Sequence, residues 1–77
     1  MKKQLYRTRD LYEAAFLYAS NSKLLQLENE NNRKVFIFEE VAVCRKLTDS
    51  YWRKEALINA KAFSDAIKTL KDLIFNK

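Results

Sequence analysis

The amino-acid sequence predicts a small α+β domain of two layers, with the element order helix, β-hairpin, helix, helix. Two short stretches of alternating apolar residues flank the pair Asn31-Asn32, and this pattern is typical of a hairpin. Apolar residues recur at helical spacing before the hairpin and again after it. A chain of 77 residues has room for one core, so we expect a single domain over residues 1–77.

The first predicted helix follows a basic N-terminal arm of about residues 1–7. Thr8 is predicted to be the N-cap, with Asp10 in the first turn, where a negative charge suits the helix dipole. The helix is expected to extend to about Tyr18, and the polar stretch of residues 20–22 ends it. Apolar residues lie on two of its faces, which indicates a helix that is covered on more than one side.

The hairpin is predicted over residues 23–30 and 33–39, because two asparagines tolerate the positive φ angles of a type I′ turn. That turn fixes the register and directs a set of large apolar side chains to one face. The predicted cross-strand pairs are Glu30 with Arg33, Leu27 with Phe36, and Leu25 with Phe38. Val35 and Ile37 form an apolar strip on the other face, which needs a cover or a partner, so we predict a protein interface there.

Two further helices are predicted in the second half of the chain. Glu39-Glu40 opens the first of them and Arg45-Lys46 lies towards its end, both placements that suit the dipole. Residues 49–58 either extend this helix or form a bend with a short extended piece. Asn59 is predicted to cap the last helix, and the hairpin is expected to pack on its apolar stripe. The stripe consists of Phe63, Ala66, Ile67, Leu70, Leu73 and Ile74.

Three short motifs give the chain a resemblance to a known family. They are a Thr-x-Asp-Leu-Tyr opening (residues 8–12), a Phe-x-Phe strand (residues 36–38) and a basic terminal helix. Together they resemble a small family of uncharacterised bacterial and phage proteins. The resemblance implies the same order of elements and a bacterial or phage setting, and it implies no site residues.

The composition argues against catalysis and against a bound cofactor. The chain has no histidine and no glycine, so neither histidine-based metal sites nor glycine-rich phosphate loops are expected. The one cysteine, Cys44, has apolar neighbours and is predicted to be a buried structural thiol. The adjacent carboxylates Glu39 and Glu40 are explained by a helix start. We therefore predict a protein that is not an enzyme, with no catalytic residues, no metal and no cofactor.

A cytoplasmic location is predicted for the protein. No apolar run approaches the roughly 18 residues of a membrane span, so no membrane association is expected. Asp10 and Glu13 interrupt the segment that would have to be the apolar part of a signal peptide. A lone cysteine also fits a reducing compartment.

A small binding protein that is nucleic-acid-associated or regulatory is the function that the charge pattern favours slightly, with DNA or RNA as the possible partner. The formal net charge is +5, and two groups combine basic and aromatic residues, which attract phosphates and stack on bases. The hairpin tip adds further cations. The predicted nucleic-acid-binding residues are Lys2, Lys3, Tyr6, Arg7, Arg9, Arg33, Lys34, Trp52, Arg53 and Lys54.

A protein partner is the alternative function. The apolar strip of Val35 and Ile37 favours a docked partner or a homodimer, because so small a core commonly needs added support. An unpaired hairpin edge can also extend a sheet across subunits. On this hypothesis the protein is an interaction module, such as a phage-encoded inhibitor of host machinery.

Overall fold

A computed structural model of the chain describes residues 4–75, which form a three-stranded antiparallel sheet and three helices. This confirms the predicted α+β class. The strands lie in the order β1-β3-β2, so β3 is central. The elements in chain order are β1 (Tyr6–Thr8), α1 (Leu11–Ala19), β2 (Leu24–Glu30), β3 (Arg33–Phe38), α2 (Val41–Trp52) and α3 (Ala60–Phe75).

Strand β1 is an element that the sequence did not predict, because residues 6 and 7 were assigned to the basic arm. Tyr6 lies opposite Phe38 of β3, and Thr8 lies opposite Phe36. Three residues are too few to show the alternating pattern that predicts a strand. The strand forms because it pairs with the free edge of β3 that the hairpin leaves open.

The hairpin confirms most of the predicted register. Asn31 and Asn32 both have positive φ, 50° and 65°, as a type I′ turn requires. Glu30 pairs with Arg33 and Leu27 with Phe36, as predicted. The predicted pair of Leu25 with Phe38 is wrong. The register shifts between residues 24 and 26, so that Leu24 lies opposite Phe38 and Leu25 is the extra, exposed residue of a bulge.

Helix α1 begins two residues later than predicted, and Asp10 rather than Thr8 is its N-cap. The Asp10 carboxyl group accepts the backbone N–H of Glu13 at 2.9 Å. Thr8 is instead buried at the end of β1, where its hydroxyl oxygen accepts the Asp10 N–H at 3.2 Å. Thr8 therefore supports the turn into the helix without capping it.

Helices α1 and α2 end in the same hydrogen-bonded motif, although the chain has no glycine for it. After α1, Asn21 has a φ of 71° and its N–H donates to the carbonyl of Tyr18. After α2, Lys54 has a φ of 64° and its N–H donates to the carbonyl of Tyr51. The next residue in each case donates back to the preceding turn, which completes a Schellman motif.

The conformation of residues 49–58, which the sequence left open, combines both alternatives. Helix α2 continues to Trp52, so Arg45 and Lys46 lie in its middle rather than towards its end as predicted. An irregular segment then leads to α3. Asn59 caps α3 as predicted, because its side-chain oxygen accepts the N–H of Ala62 at 2.9 Å.

The core lies between the sheet and the helices. Phe36 and Phe38 are buried and share one cluster with Ala66 and Leu70 of the α3 stripe, as predicted. Helix α1 adds Leu17, and it packs against both α2 and α3. Burying a phenylalanine side chain contributes on the order of 1.5–3 kcal/mol, so these rings are a main source of stability.

The second face of the sheet is covered by ion pairs from within the chain. Val35 and Ile37 are only 2% and 1% exposed. The Arg7 guanidinium of β1 lies 3.2 Å from Glu28 and 3.1 Å from Glu30 of β2, so these pairs pass over the central strand. The interface predicted at Val35 and Ile37 stays a prediction, and it now requires these ion pairs to move aside.

Candidate functional site

An open cleft lies where α1, the end of α2 and the start of α3 meet. We call it the aromatic cleft. Its volume is about 210 Å³, and all but one of its lining residues are apolar or aromatic. The lining residues are Phe16, Tyr51, Lys54, Ala56, Ile58 and Phe63.

A row of three aromatic rings forms one wall of the aromatic cleft and its border. Phe16 of α1 stacks on Tyr51 of α2 with ring centroids 5.1 Å apart, and this contact fixes how the two helices meet. Tyr51 in turn meets the edge of Trp52 at 5.2 Å. The irregular segment after α2 supplies Ala56, whose small side chain also lines the cleft.

Large apolar side chains around the aromatic cleft are exposed. Trp52 is 60% exposed, and Leu57, between the lining residues Ala56 and Ile58, is 98% exposed. Tyr12 is also exposed and lies one helical turn before Phe16. Apolar surface that stays in water next to an apolar cleft is typical of a binding site.

Lys54 is the one charged residue among those that line the aromatic cleft. Its left-handed backbone is held by the Schellman motif that ends α2. Within residues 4–75 its ammonium group has no ion-pair partner, whereas the preceding Arg53 pairs with Asp49 at 3.3 Å. A cation is therefore available at the border of an apolar surface.

The buried Glu13 holds the surroundings of the aromatic cleft together. It is 7% exposed, and its two carboxyl oxygens accept hydrogen bonds of 2.7 Å from the Tyr6 hydroxyl and from the Trp52 indole N–H. These bonds connect β1, α1 and α2. This role of Glu13 was not predicted from the sequence, although the apolar residues one turn on, Phe16 and Leu17, indicate that Glu13 lies on a covered side of the helix.

Burial raises the pKa of two tyrosine hydroxyl groups in this region. The pKa of Tyr6 lies above its ordinary value of 10.0 mainly because of burial, with smaller opposing contributions from its hydrogen bonds to Thr48 and Glu13. The pKa of Tyr51 is also raised, first by burial and then by the nearby negative charges of Asp10 and Glu13. Both groups keep their protons well above neutral pH.

The structure separates the two basic–aromatic groups that the sequence predicted to bind nucleic acid. Arg7 and Arg9 lie on the outer face of the sheet, where both pair with Glu30, Arg9 at 2.7 Å. Tyr6 points the other way, into the core cluster. Trp52 lies in the helical layer on that core side of the sheet, so Arg7 and Arg9 do not share a face with Trp52.

The remaining predicted contacts are spread over the molecule. Arg33 and Lys34 lie at the hairpin tip and have no ion-pair partner within the described range. Arg53 and Lys54 follow Trp52 at the end of α2. Lys2 and Lys3 lie outside the described residues.

Cys44 is buried, as predicted, and lies on α2 facing the core. Its thiol donates to the carbonyl of Glu39 at 3.3 Å, and burial raises its pKa above the ordinary value of 9.0. Residues 4–75 contain no group of three side chains suited to hold a metal ion. None of the described helices is both long and apolar enough to cross a membrane.

Comparison with known proteins gives a family and no relative of known activity. No curated protein and no solved structure matches the chain. The family model for the domain of unknown function DUF5659 matches residues 3–76. That match covers nearly the whole chain and agrees with the resemblance to an uncharacterised family. The chain therefore belongs to the DUF5659 family of domains.

Proposed function

We propose that this domain is a non-enzymatic binding protein that holds a segment of a protein partner in the aromatic cleft. The observation that carries the proposal is the cleft itself, an apolar space whose wall residue Tyr51 is in contact with the exposed Trp52. Tyr12 and Leu57, which are close in sequence to lining residues, are exposed as well. Tryptophan and tyrosine are the residues that most often supply the binding energy of protein interfaces. The outer face of the sheet offers no comparable apolar surface, because ion pairs cover Val35 and Ile37.

The dimensions of the aromatic cleft suit one large apolar side chain. An enclosed apolar cavity of roughly 150 Å³ is enough to hold a benzene molecule. The cleft measures about 210 Å³ and is open on one side, so an aromatic or branched side chain can enter while its backbone stays outside. Contacts with Trp52 and Leu57 then extend the interface beyond the anchor.

Nucleic-acid binding is the second candidate, and one observation favours it. Trp52 is exposed directly before Arg53 and Lys54, which is the combination that stacks on unpaired bases and attracts phosphates. The separation of this group from Arg7 and Arg9 leaves a smaller basic surface than the sequence suggested. If a single-stranded oligonucleotide binds, its affinity should fall steeply with salt, and the double change Arg53→Ala and Lys54→Ala should reduce that dependence.

The proposed setting is the cytoplasm of a bacterial cell, where the domain acts as a regulator or as a phage-encoded inhibitor. A buried, unpaired thiol at Cys44 supports a reducing compartment. A homodimer belongs to the same proposal, because the outer edge of β2 has no strand neighbour in the described chain. Sedimentation at micromolar concentration tests the dimer, and a monomer under those conditions contradicts it.

The protein-binding proposal is tested by selecting peptides from a displayed random library on the purified full chain. Ala56→Phe fills the aromatic cleft without removing core packing, and Ala42→Phe is the matched control on an exposed site of α2. We expect selected peptides to bind the wild type and Ala42→Phe alike, and to lose at least roughly tenfold in affinity for Ala56→Phe. Failure to select any peptide, or equal binding to all three proteins, contradicts the proposal.

A further inference from the structure

We infer that the partner segment carries a bulky apolar side chain with an acidic residue beside it, so that the anchor fills the aromatic cleft and the carboxylate pairs with Lys54. This inference rests on the proposed function and names the chemistry of the partner. It combines three features of the cleft, namely its size, its single charge and the backbone conformation that presents that charge.

The lining of the aromatic cleft determines that the anchor side chain of the partner is apolar. Phe16, Ile58 and Phe63 offer no hydrogen-bonding side-chain group. A polar anchor among these three side chains, away from the Tyr51 hydroxyl and the Lys54 ammonium group, would lose its hydration and gain no partner, which costs free energy. An apolar anchor is favoured by the burial of its own surface and that of the rings.

The charge of Lys54 sets the second requirement. A partner that covers the aromatic cleft removes water from this ammonium group, which has no ion-pair partner within the described part of the chain. Lys54 is exposed, so this loss of water is partial, but a basic segment is repelled by the ammonium group and a neutral segment gains no ion pair with it. An acidic residue of the partner at the border of the cleft gives the Lys54 ammonium group an ion-pair partner. This requirement narrows the range of segments that can bind.

The backbone at Lys54 supports a role for its side chain. The described chain has five residues with positive φ, and three of them are asparagines, which tolerate this conformation best. Asn21 occupies the corresponding position after α1. A lysine in the same backbone state costs roughly 1 kcal/mol more than glycine, a cost that a side chain used for binding explains.

A charge-swap experiment tests the inference on a peptide already selected for binding. The acidic residue of the peptide is replaced by glutamine or by lysine, and the protein is tested as wild type, Lys54→Glu and Lys46→Glu. The last of these is the matched control, because it makes the same change in net charge at an exposed site of α2. Affinities are measured by the fluorescence of Trp52, the only tryptophan in the chain.

We expect the peptide with glutamine to bind the wild type roughly tenfold more weakly, which corresponds to about 1.4 kcal/mol. Lys54→Glu should weaken binding of the acidic peptide at least as much and should bind the lysine peptide better than the wild type does. Lys46→Glu should leave the order of the three peptides unchanged.

Four results overturn the inference. If the selected peptides depend on the open cleft but show no preference for acidic residues, the inference fails and the proposed function stands. If Lys46→Glu reproduces the effect of Lys54→Glu, only overall charge matters, and the inference again fails alone. If no peptide is selected, both fail. If the protein self-associates and Ala56→Phe abolishes this, the occupant is a second copy of the chain, and the inference is wrong.

Discussion

At the scale of single residues, five non-glycine residues with positive φ lie at turns and helix ends within residues 4–75 of this glycine-free chain. Asn31 and Asn32 turn the hairpin, and Asn21 ends α1. Asparagine enters this region at low cost because its short polar side chain can bond locally. Glu40 and Lys54 have no such compensation, and Lys54 is the one that lines the aromatic cleft.

Replacing Lys54 should change the stability of the protein and its affinity for a peptide in opposite directions. Lys54→Gly relieves the left-handed backbone and should raise the free energy of unfolding by about 0.5–1 kcal/mol, after allowing for the greater freedom of glycine in the unfolded chain. The same protein should bind the acidic peptide more weakly. Lys46→Gly, in the middle of α2, should instead destabilise by about 1 kcal/mol. Urea unfolding measures both, and a destabilised Lys54→Gly protein would show that the backbone there is not strained.

Replacing Glu13 should disturb the surroundings of the aromatic cleft, although Glu13 does not line it. Glu13→Ala leaves the Tyr6 hydroxyl and the Trp52 indole N–H without their acceptor, and we expect a loss of about 2–4 kcal/mol of stability. Trp52 should also become mobile, which its fluorescence anisotropy reports. Glu55→Ala removes an exposed carboxylate nearby and should change stability by less than about 0.5 kcal/mol. Similar losses for the two variants would contradict the role assigned to Glu13.

At the scale of elements, the bulge in β2 decides which side chains the sheet buries. The extra residue Leu25 shifts the register, so that Leu24 rather than Leu25 lies opposite Phe38. Ile37 lies at the centre of the sheet between Arg7 and Gln26, under the ion pairs that cross the outer face. The sequence predicted the opposite order of burial for these two residues, with Leu25 in the core and Ile37 on an uncovered apolar strip.

Paired truncations test this arrangement. Ile37→Ala should destabilise the protein by about 2–4 kcal/mol, because it opens a cavity in a packed region. Leu25→Ala should cost less than about 1 kcal/mol, because Leu25 stays partly in water. Both values come from urea unfolding of the two variants and the wild type. The reverse order would support the register that the sequence predicted.

The parts of the fold that the sequence predicted well are those with strong local chemistry. The asparagine turn, the Asn59 cap and the apolar stripe of α3 each depend on neighbouring residues, and the structure has all three. Strand β1, the cover over Val35 and the contact of Glu13 with Trp52 depend on residues far apart in the chain. No pattern of short period predicts such contacts. The aromatic cleft was not predicted for the same reason, because residues far apart in the chain line it.

At the scale of the whole molecule, stability should depend on pH in the alkaline range. Tyr6, Tyr51 and Cys44 all have pKa values raised by burial, so the folded chain keeps protons that the unfolded chain releases. When the unfolded state binds fewer protons, the free energy of unfolding falls as pH rises. The stabilising contribution is complete below about pH 8 and is lost progressively above about pH 9.

Unfolding in urea at a series of pH values between about 8 and 11 measures this dependence. Tyr6→Phe removes one of the three groups and should make the decline with pH shallower, even though the variant loses the hydrogen bond to Glu13. The quantity to compare is the slope of the free energy of unfolding against pH, because the absolute free energy of unfolding of Tyr6→Phe also includes the loss of that hydrogen bond. A free energy of unfolding that rises over this range would contradict the burial assigned to these groups.

The central claim is that the aromatic cleft holds an apolar side chain of a protein partner. The most direct measurement is isotope-filtered NMR on the complex of the labelled protein with an unlabelled selected peptide. We predict intermolecular nuclear Overhauser effects from the anchor of the peptide to the rings of Phe16, Tyr51 and Phe63. Effects that instead connect the peptide to Val35, Ile37 or the edge of β2, with none to those rings, would contradict the claim.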